Sequence, residues 1–533
     1  MARPRVLSAA AAARLIPDGA IVTVSSSSAL GCPDAVLAAL GARFDAEGHP
    51  RSLTMLHPIA AGDMWGVKGI DHIAKPGCLA RVLAGSYPSG PSSAEPPAIW
   101  KMIGDDAIPA YNVPSGILFD MHREAAAKRP GVLTKVGMDT FVDPLREGCA
   151  MNPKGRAAPI VSRVAFASDD WLFFPTIVPE VAIIRATTAD ERGNLSYEHE
   201  GGILGPLDQA LAVRNNGGIV IAQVKRLAAA GTLKPHDVVV PGVLVDAIVV
   251  APDQLQTTHT PYEPAISGEI FRPLSSFEAP PFGVAKVIAR RVAQELRDGD
   301  AVNIGFGISA NVPRIVIEEG RHGAVTWVIE QGAIGGVPLL DFQFGCASNA
   351  EAIVPSPQQF TYFQGGGFDM SLLSFLQIDR SGSVNVSKLG ARPHVTAGAG
   401  GFVDITARAK KIVFSGYFTA GAGLEIDDGK LFIAKEGRVK KLVEAVEQVS
   451  FSGPRAVAQG QEIVYVTERC VMRLTSEGVT VTEVAPGVDL KRDVLERAEF
   501  PLRVADRLAT MDAALFHPQP FGLALRPAEE RGR

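Results

Sequence analysis

At 533 residues the chain exceeds what a single hydrophobic core ordinarily organises, so division into domains is expected. Its 47% hydrophobic and 20% charged residues fit a globular protein, and a net charge of −5 without a basic block argues against nucleic acid as a partner. The cysteines Cys32, Cys78, Cys149, Cys346 and Cys470 lack CxxC spacing and nearby histidine pairs, so neither a disulfide framework nor a zinc site is expected, and no metal is assigned.

The opening "MARPRVLSAAAAARLIPDG" resembles a signal peptide for a few residues, but Arg14 and Asp18 interrupt the apolar run, and an ordinary first helix is expected. From there short β-branched runs alternate with alanine-rich helical stretches. "AIVTVSS" precedes "PDAVLAALGARF", and "RSLTMLH", "IVIAQV", "AIVVAP", "AVNIGFG", "AVTWVIE" and "KKIVFSGYF" follow in turn. This alternation predicts an α/β fold whose strands are apolar on both faces because helices cover them. "VVVPGVLVDAIVVAP" is broken by Pro241, Gly242 and Asp246, which suits two buried strands and not a bilayer span. No membrane partner is expected, and the chain is assigned to the cytoplasm.

An internal repeat runs through these elements. "DGAIVTV" from Asp18 matches "DGDAVNI" from Asp298; "ADERGNLS" matches "IDRSGSVNVS", each a predicted hairpin; "NGGIVIAQV" matches "AKKIVFSGY". Three matches in one order predict two related halves, the first enlarged by an insertion. Between them "TPYEPAISGEIFRPLSSFEAPPFG" reads as a linker or strap, which places the domains at 1–280 and 281–533. The closing "RPAEERGR" is expected to be a frayed tail.

The chemistry concentrates in the second half. "AVNIGFGISAN" fits G-x-G-x-x-A at Gly305, Gly307 and Ala310, and Glu330 follows Gly305 by 25 residues, as a ribose-binding acid of a nicotinamide site does. A second reading takes Glu330, in "TWVIEQGAIGGVP", as a reagent. Gly332, Gly335 and Gly336 then bring backbone N–H groups toward a carboxylate at which charge develops. A carboxylate can attack a thioester, expel a thiolate and be converted into an enzyme-bound thioester, provided water is kept out. Ile334, Val337 and Trp327 are the apolar neighbours placed to exclude it. A strand-end acid that caps a helix or pairs with arginine is the bland alternative.

These stretches resemble the family I CoA-transferases of the fused single-chain type. The bacterial acetate/propionate and acetoacetate enzymes are nearest in pattern, and succinyl-CoA:3-ketoacid CoA-transferase is more distant. "VIEQGAIGGVP" with "VNIGFGI" is the specific pair, supported in order by "LIPDGAIVTV", "RPGVLTKVGMDTFVDP", "EPAISGE", "QIDRSGSVNVSKLG" and "GAGGFVDI". The resemblance implies two open α/β domains with the active site between them. It implies a ping-pong transfer of CoA from an acyl-CoA to a free carboxylic acid, with Glu330 as the catalytic residue that forms the glutamyl-CoA thioester. Gly398, Gly400 and Gly401 then present amides to the thioester oxygen, and Gly305 and Gly307 approach the CoA pantetheine or phosphates. CoA is substrate and covalent intermediate with no prosthetic group, and a homo-dimer or homo-tetramer is implied.

The sequence departs from the family pattern at three places. The first loop, usually glycine-glycine-phenylalanine, reads "SSSSALGCP" from Ser25 and contains Ser26 and Ser27; Ser115 in "VPSG" stands where relatives carry glutamine; Trp65 sits in "GDMWGVKG". With His57 these are the acyl-pocket candidates, His57 being equally a satisfied strand-end histidine. The departures predict an acyl group bulkier or more apolar than acetate. A thioesterase using water as acceptor, a nicotinamide-dependent oxidoreductase and a CoA-binding protein without turnover are the competing readings.

Overall fold

The computed structural model describes residues 3–63, 65–89 and 96–527; part of the expected frayed tail, 528–533, lies outside them. Runs that are apolar on both faces become interior strands, as in Val181–Asp190, where all ten residues are buried. Eight strands form a parallel path in the order Arg5–Leu7, Ala247–Val250, Ile219–Ala228, Val181–Asp190, Ile21–Val24, Leu53–His57, Leu79–Ala84, Ala110–Asn112. The second large sheet is mixed. Its parallel centre runs Thr326–Val328, Ala301–Ile304, Met370–Ser374, Lys411–Ser415, Glu462–Val466, with antiparallel strands added at both ends.

The repeat is visible in this order. Leu53–His57, Ile21–Val24, Val181–Asp190, Ile219–Ala228 and Ala247–Val250 follow one another in the first sheet as Thr326–Val328, Ala301–Ile304, Met370–Ser374, Lys411–Ser415 and Glu462–Val466 do in the second. The two predicted hairpins are also present, Leu195–Ser196 antiparallel to Val181–Asp190 and Gln377–Asp379 antiparallel to Val384–Asn385. The enlargement of the first half includes an antiparallel sheet of Gly131–Thr134, Asp169–Pro175 and Ser162–Phe166. It leans on the second half: the Phe141 amide donates to the Val449 carbonyl at 2.8 Å, and Phe141 and Phe174 share one apolar core with Phe414 and Tyr465.

The start of the chain differs from the sequence expectation by one element. The helix Ala9–Ala13 forms, capped by the Ser8 side chain, but Arg5–Leu7 precedes it as an edge strand parallel to Ala247–Val250. Three residues are too few for an alternating pattern to register in sequence. The proline-rich segment is a strap fastened to the second half, where the Arg272 amide donates to Asn349 Oδ1 at 2.7 Å and Asn349 Nδ2 to the Arg272 carbonyl at 2.8 Å.

Candidate active site

The strand Thr326–Val328 points its carboxyl end toward the first half, and a turn closes immediately after it, with the Gly332 amide donating to the Ile329 carbonyl at 2.9 Å. Glu330 stands on that turn, the usual place for ligand chemistry in an open α/β sheet. Gln331 Nε2 donates to Glu330 Oε1 at 3.0 Å and to Ser27 Oγ at 3.0 Å, so the serine loop of the first half holds the amide that holds the carboxylate. The Gly401 backbone amide also donates toward it, and a Cβ at Gly401 would sit 2.6 Å from Glu330 Oε2. Among the described residues no cation pairs with Glu330. Burial pushes its carboxyl up to about 7 against the lowering effect of the Gln331 and Gly401 hydrogen bonds.

The "GAGG" loop is fixed from the first half by three contacts. Asn112 Oδ1 accepts from the Ala399 amide at 2.9 Å, the Gly400 amide donates to the Gly85 carbonyl at 2.8 Å, and the Ser115 amide donates to the Gly400 carbonyl at 3.1 Å. Asn112 Nδ2 is itself held by the Ala84 and Gly85 carbonyls. Just past the loop Asp404 is fully buried, accepting from the Gly116 amide and from Gln364 Nε2, both at 3.0 Å. Burial raises Asp404 to about 7 as well, with the charges of Asp120 and Glu330 adding to the effect. A half-buried Glu330 and a fully buried Asp404 therefore flank one glycine turn at the seam between the halves.

The remaining sequence candidates are distributed as follows. Ser27 is in the cluster through Gln331, whereas Ser26 Oγ is spent on the Ala60 carbonyl at 3.0 Å. Ser115 is fully buried in the first turn of the helix Ser115–Ala126, and its Oγ has no partner and lies under Gly85. His57 is also fully buried, with Nδ1 on the Ile59 carbonyl at 3.0 Å and its ring edge-on to Tyr87; burial depresses it to about 4 and keeps it neutral. Trp65 is 43% exposed and packs on Phe342, which in turn meets His259. Asn303 ties its strand to both neighbours, donating to the Val328 carbonyl and accepting from Ser371.

The glycines after Glu330 do something other than expected. A Cβ at Gly332 would lie 1.9 Å from the Val354 carbonyl, and one at Gly336 would lie 2.3 Å from the Ser348 carbonyl. With positive φ of 110° and 68°, they let a neighbouring strand pack against the turn, and the amide facing the carboxylate comes from Gly401 instead. Gly305 and Gly307 begin a loop whose Phe306 is 64% exposed, on the wall of a groove of about 770 Å³. Gln331, Asn112, Gln364 and Asp404 were not singled out in sequence. Asp404 carries one local signal, an acid in the first turn of the helix Phe402–Thr406 after a glycine loop.

In a repeated α/β architecture, a strand-end glutamate thus meets a glycine loop of its own half, and both are held by loops of the first half. The coenzyme A transferase family model matches residues 6–251. The chain is 42% identical to the caffeate CoA-transferase of Acetobacterium woodii, over 97% of this chain and 98% of that one. It is 37% identical to the acetate CoA-transferase YdiF of Escherichia coli strain K12, over 99% and 98%. The apoenzyme structure of acyl-CoA transferase YdiF from Escherichia coli O157:H7 superposes with a TM-score of 0.92 at 36% identity, covering 99% and 98%, and its thioester complex with CoA with 0.90. The chain belongs to the coenzyme A transferase family and is a CoA-transferase. No described helix is long and apolar enough to cross a membrane.

Proposed function

We propose that Glu330 is the nucleophile that carries CoA between an acyl-CoA donor and a free carboxylate. The observation that supports this reading most is a half-buried carboxylate where the two halves meet, oriented by Gln331 and touched by the Gly401 amide. Its Oε attacks the acyl-CoA carbonyl, and the C–S bond breaks to give an acyl-glutamyl anhydride and CoA thiolate. The thiolate attacks the Glu330 carbonyl carbon, expelling the donor's carboxylate and leaving the glutamyl-CoA thioester. An incoming carboxylate reverses both steps. The solved thioester complex of YdiF with CoA, a close relative in fold and sequence, supports the same route here. Trp327 and Val337 near the turn are buried, Ile334 is half-buried, and Phe360 lies beside Gly401, so the chain around the carboxylate is apolar, which favours keeping water out. Initial rates at varied donor and acceptor should give parallel double-reciprocal lines; intersecting lines would count against a covalent relay.

The acid is proposed to be bulkier than acetate, aromatic acids included. Trp65, Phe342 and His259 form a partly exposed aromatic cluster beside the Ala61–Asp63 loop, which is bridged to the serine loop holding Gln331. The relative that acts on caffeate agrees with this. A panel of acyl-CoA donors should favour arylpropenoyl or branched acyl groups, and a clear preference for acetyl or succinyl would refute it. A cytoplasmic homo-oligomer remains the proposed setting.

The protonation state of Glu330 gives a pH prediction. Attack needs the carboxylate, and burial holds this group at about 7, so kcat/KM should rise as pH climbs through that value and fall on the acid side. The stability consequence has the opposite sign. Between about 4.5 and 7 the unfolded chain has lost the Glu330 proton that the folded chain keeps, so stability falls as pH rises through this window. Glu330→Gln should therefore melt at a higher temperature than wild type at pH 8 and near it at pH 4.

A further inference from the structure

Gln331 is 4% exposed, and its two amide hydrogens have separate tasks. One goes from Nε2 to Glu330 Oε1 and the other to Ser27 Oγ, both at 3.0 Å. The other end of the amide is left unmet: its Oε1 is buried and, among the described residues, accepts no hydrogen bond. Turning the amide over would set that oxygen against a carboxylate oxygen, so the nitrogen is the end that faces Glu330. A buried acceptor without a donor is uncommon in a folded protein and calls for a reason beyond stability.

Backbone walls keep this side chain from turning. Gly345 has φ 99°, and a Cβ there would lie 2.9 Å from Gln331 Cδ and 3.1 Å from its Oε1; the Cβ position of Gly202 is 3.8 Å from Gln331 Cβ. Ser27 is fixed in turn. Its amide donates to the Leu30 carbonyl at 2.8 Å, and the Ser28 amide, at a φ of 55°, donates to the Ala60 carbonyl at 2.7 Å. The two oxygens of Glu330 are therefore not equivalent. Oε1 is held by Gln331, whereas Oε2 is the one that a Cβ at Gly401 would approach to 2.6 Å.

Thioester formation removes one of these oxygens and keeps the other. We infer that Gln331 is a second catalytic residue: its Nε2 holds Oε1 as the carbonyl oxygen that Glu330 keeps in the glutamyl-CoA thioester, and Ser27 of the first half is its positioning residue. The inference rests on the reading of Glu330 as the CoA-carrying nucleophile. Oε2 attacks the acyl-CoA carbonyl carbon, and the C–S bond breaks to release CoA thiolate. When the thiolate adds to Glu330 Cδ, the electron pair of the Cδ–Oε1 double bond moves onto Oε1, beside the Nε2 hydrogen. Collapse breaks the Cδ–Oε2 bond, and Oε2 departs in the donor's carboxylate. The acceptor carboxylate adds to the same carbon, charges the same oxygen, expels the thiolate and leaves one of its own oxygens in place of Oε2. An N–H already aimed at the oxygen that becomes charged lowers both barriers.

Gln331→Met keeps the side chain's length and removes both N–H groups. Its kcat should fall about a hundredfold with little change in KM for acyl-CoA, and Ser27→Ala should lose about tenfold in the same way. An unchanged kcat in both variants, or a loss carried by KM, overturns the inference. Heavy oxygen supplies a readout on the wild type that a folding defect does not imitate. After many turnovers with an excess of acceptor acid labelled at both carboxyl oxygens, the peptide bearing Glu330 should hold one labelled oxygen, because Oε1 never leaves. In Gln331→Met the carboxylate is free to rotate, and two should enter. Two labelled oxygens in the wild type, or one in both proteins, overturns the inference. Adduct mass separates the two proposals: a CoA-sized gain on the wild type together with an unchanged kcat in the variants rejects the role of Gln331 alone, whereas absence of the gain in the wild type rejects the nucleophile reading first.

Discussion

Glu330→Ala is expected to lose CoA transfer by about four orders of magnitude or more while keeping its fold. The side chain makes no ion pair among the described residues, and its loss frees the Gly401 amide and Gln331 Nε2, the latter still donating to Ser27 Oγ. No neighbouring carboxylate can replace it. Asp404, the other acid at the seam, is fully buried, and its two oxygens are taken by the Gly116 amide and Gln364. Initial-rate assays with a saturating donor and acceptor, beside a thermal melt, check both halves of the expectation. Residual turnover within tenfold of wild type would place the nucleophile elsewhere.

Gly401→Ala should come next in severity, lowering turnover by about two to three orders of magnitude, the range found when one stabilising donor of such a site is lost. The backbone there has φ −84°, which alanine adopts freely, so strain is not the cause. The cause is space: the new methyl would lie 2.6 Å from Glu330 Oε2 and 2.6 Å from a ring carbon of the buried Phe360. Phe360 is packed and cannot retreat, so the loop or the carboxylate must move, and the Gly401 amide loses its aim. Gly400→Ala makes an informative contrast. Nothing lies within 4 Å of its Cβ position, but its φ of 54° is left-handed, so the expected cost is about 1 kcal/mol of stability without a clash. Melting curves and rates for the pair separate the two causes; a Gly401→Ala enzyme with nearly full turnover would mean that this loop does not face the reacting group.

Much of this architecture was legible because it is written locally. Runs such as "IVTV" and "AVNI" are apolar on both faces, and repetition of their order revealed two halves before any pairing was known. Glu330 stood out for the same reason, as an acid closing an apolar strand. The parts that were not legible are those whose partners lie far along the chain. Ser27 and Gln331 are 304 residues apart, Asn112 and Ala399 are 287, and Gly116 and Asp404 are 288. Each looks like an ordinary polar residue in its own segment, and only the packing of one half on the other gives it a task. The glycines after Glu330 show the reverse error. Their spacing suggested amides aimed at a ligand, yet a neighbouring strand requires their lack of side chains, and that constraint leaves no distinct mark in sequence.

All of these expectations depend on one covalent event. Intact-protein mass spectrometry after addition of acyl-CoA without acceptor, run on wild type and Glu330→Ala, tests it most directly. A gain of one CoA in the wild type, removed by a carboxylate acceptor and absent from the variant, is the predicted result; equal gains in both proteins would contradict the assignment of Glu330.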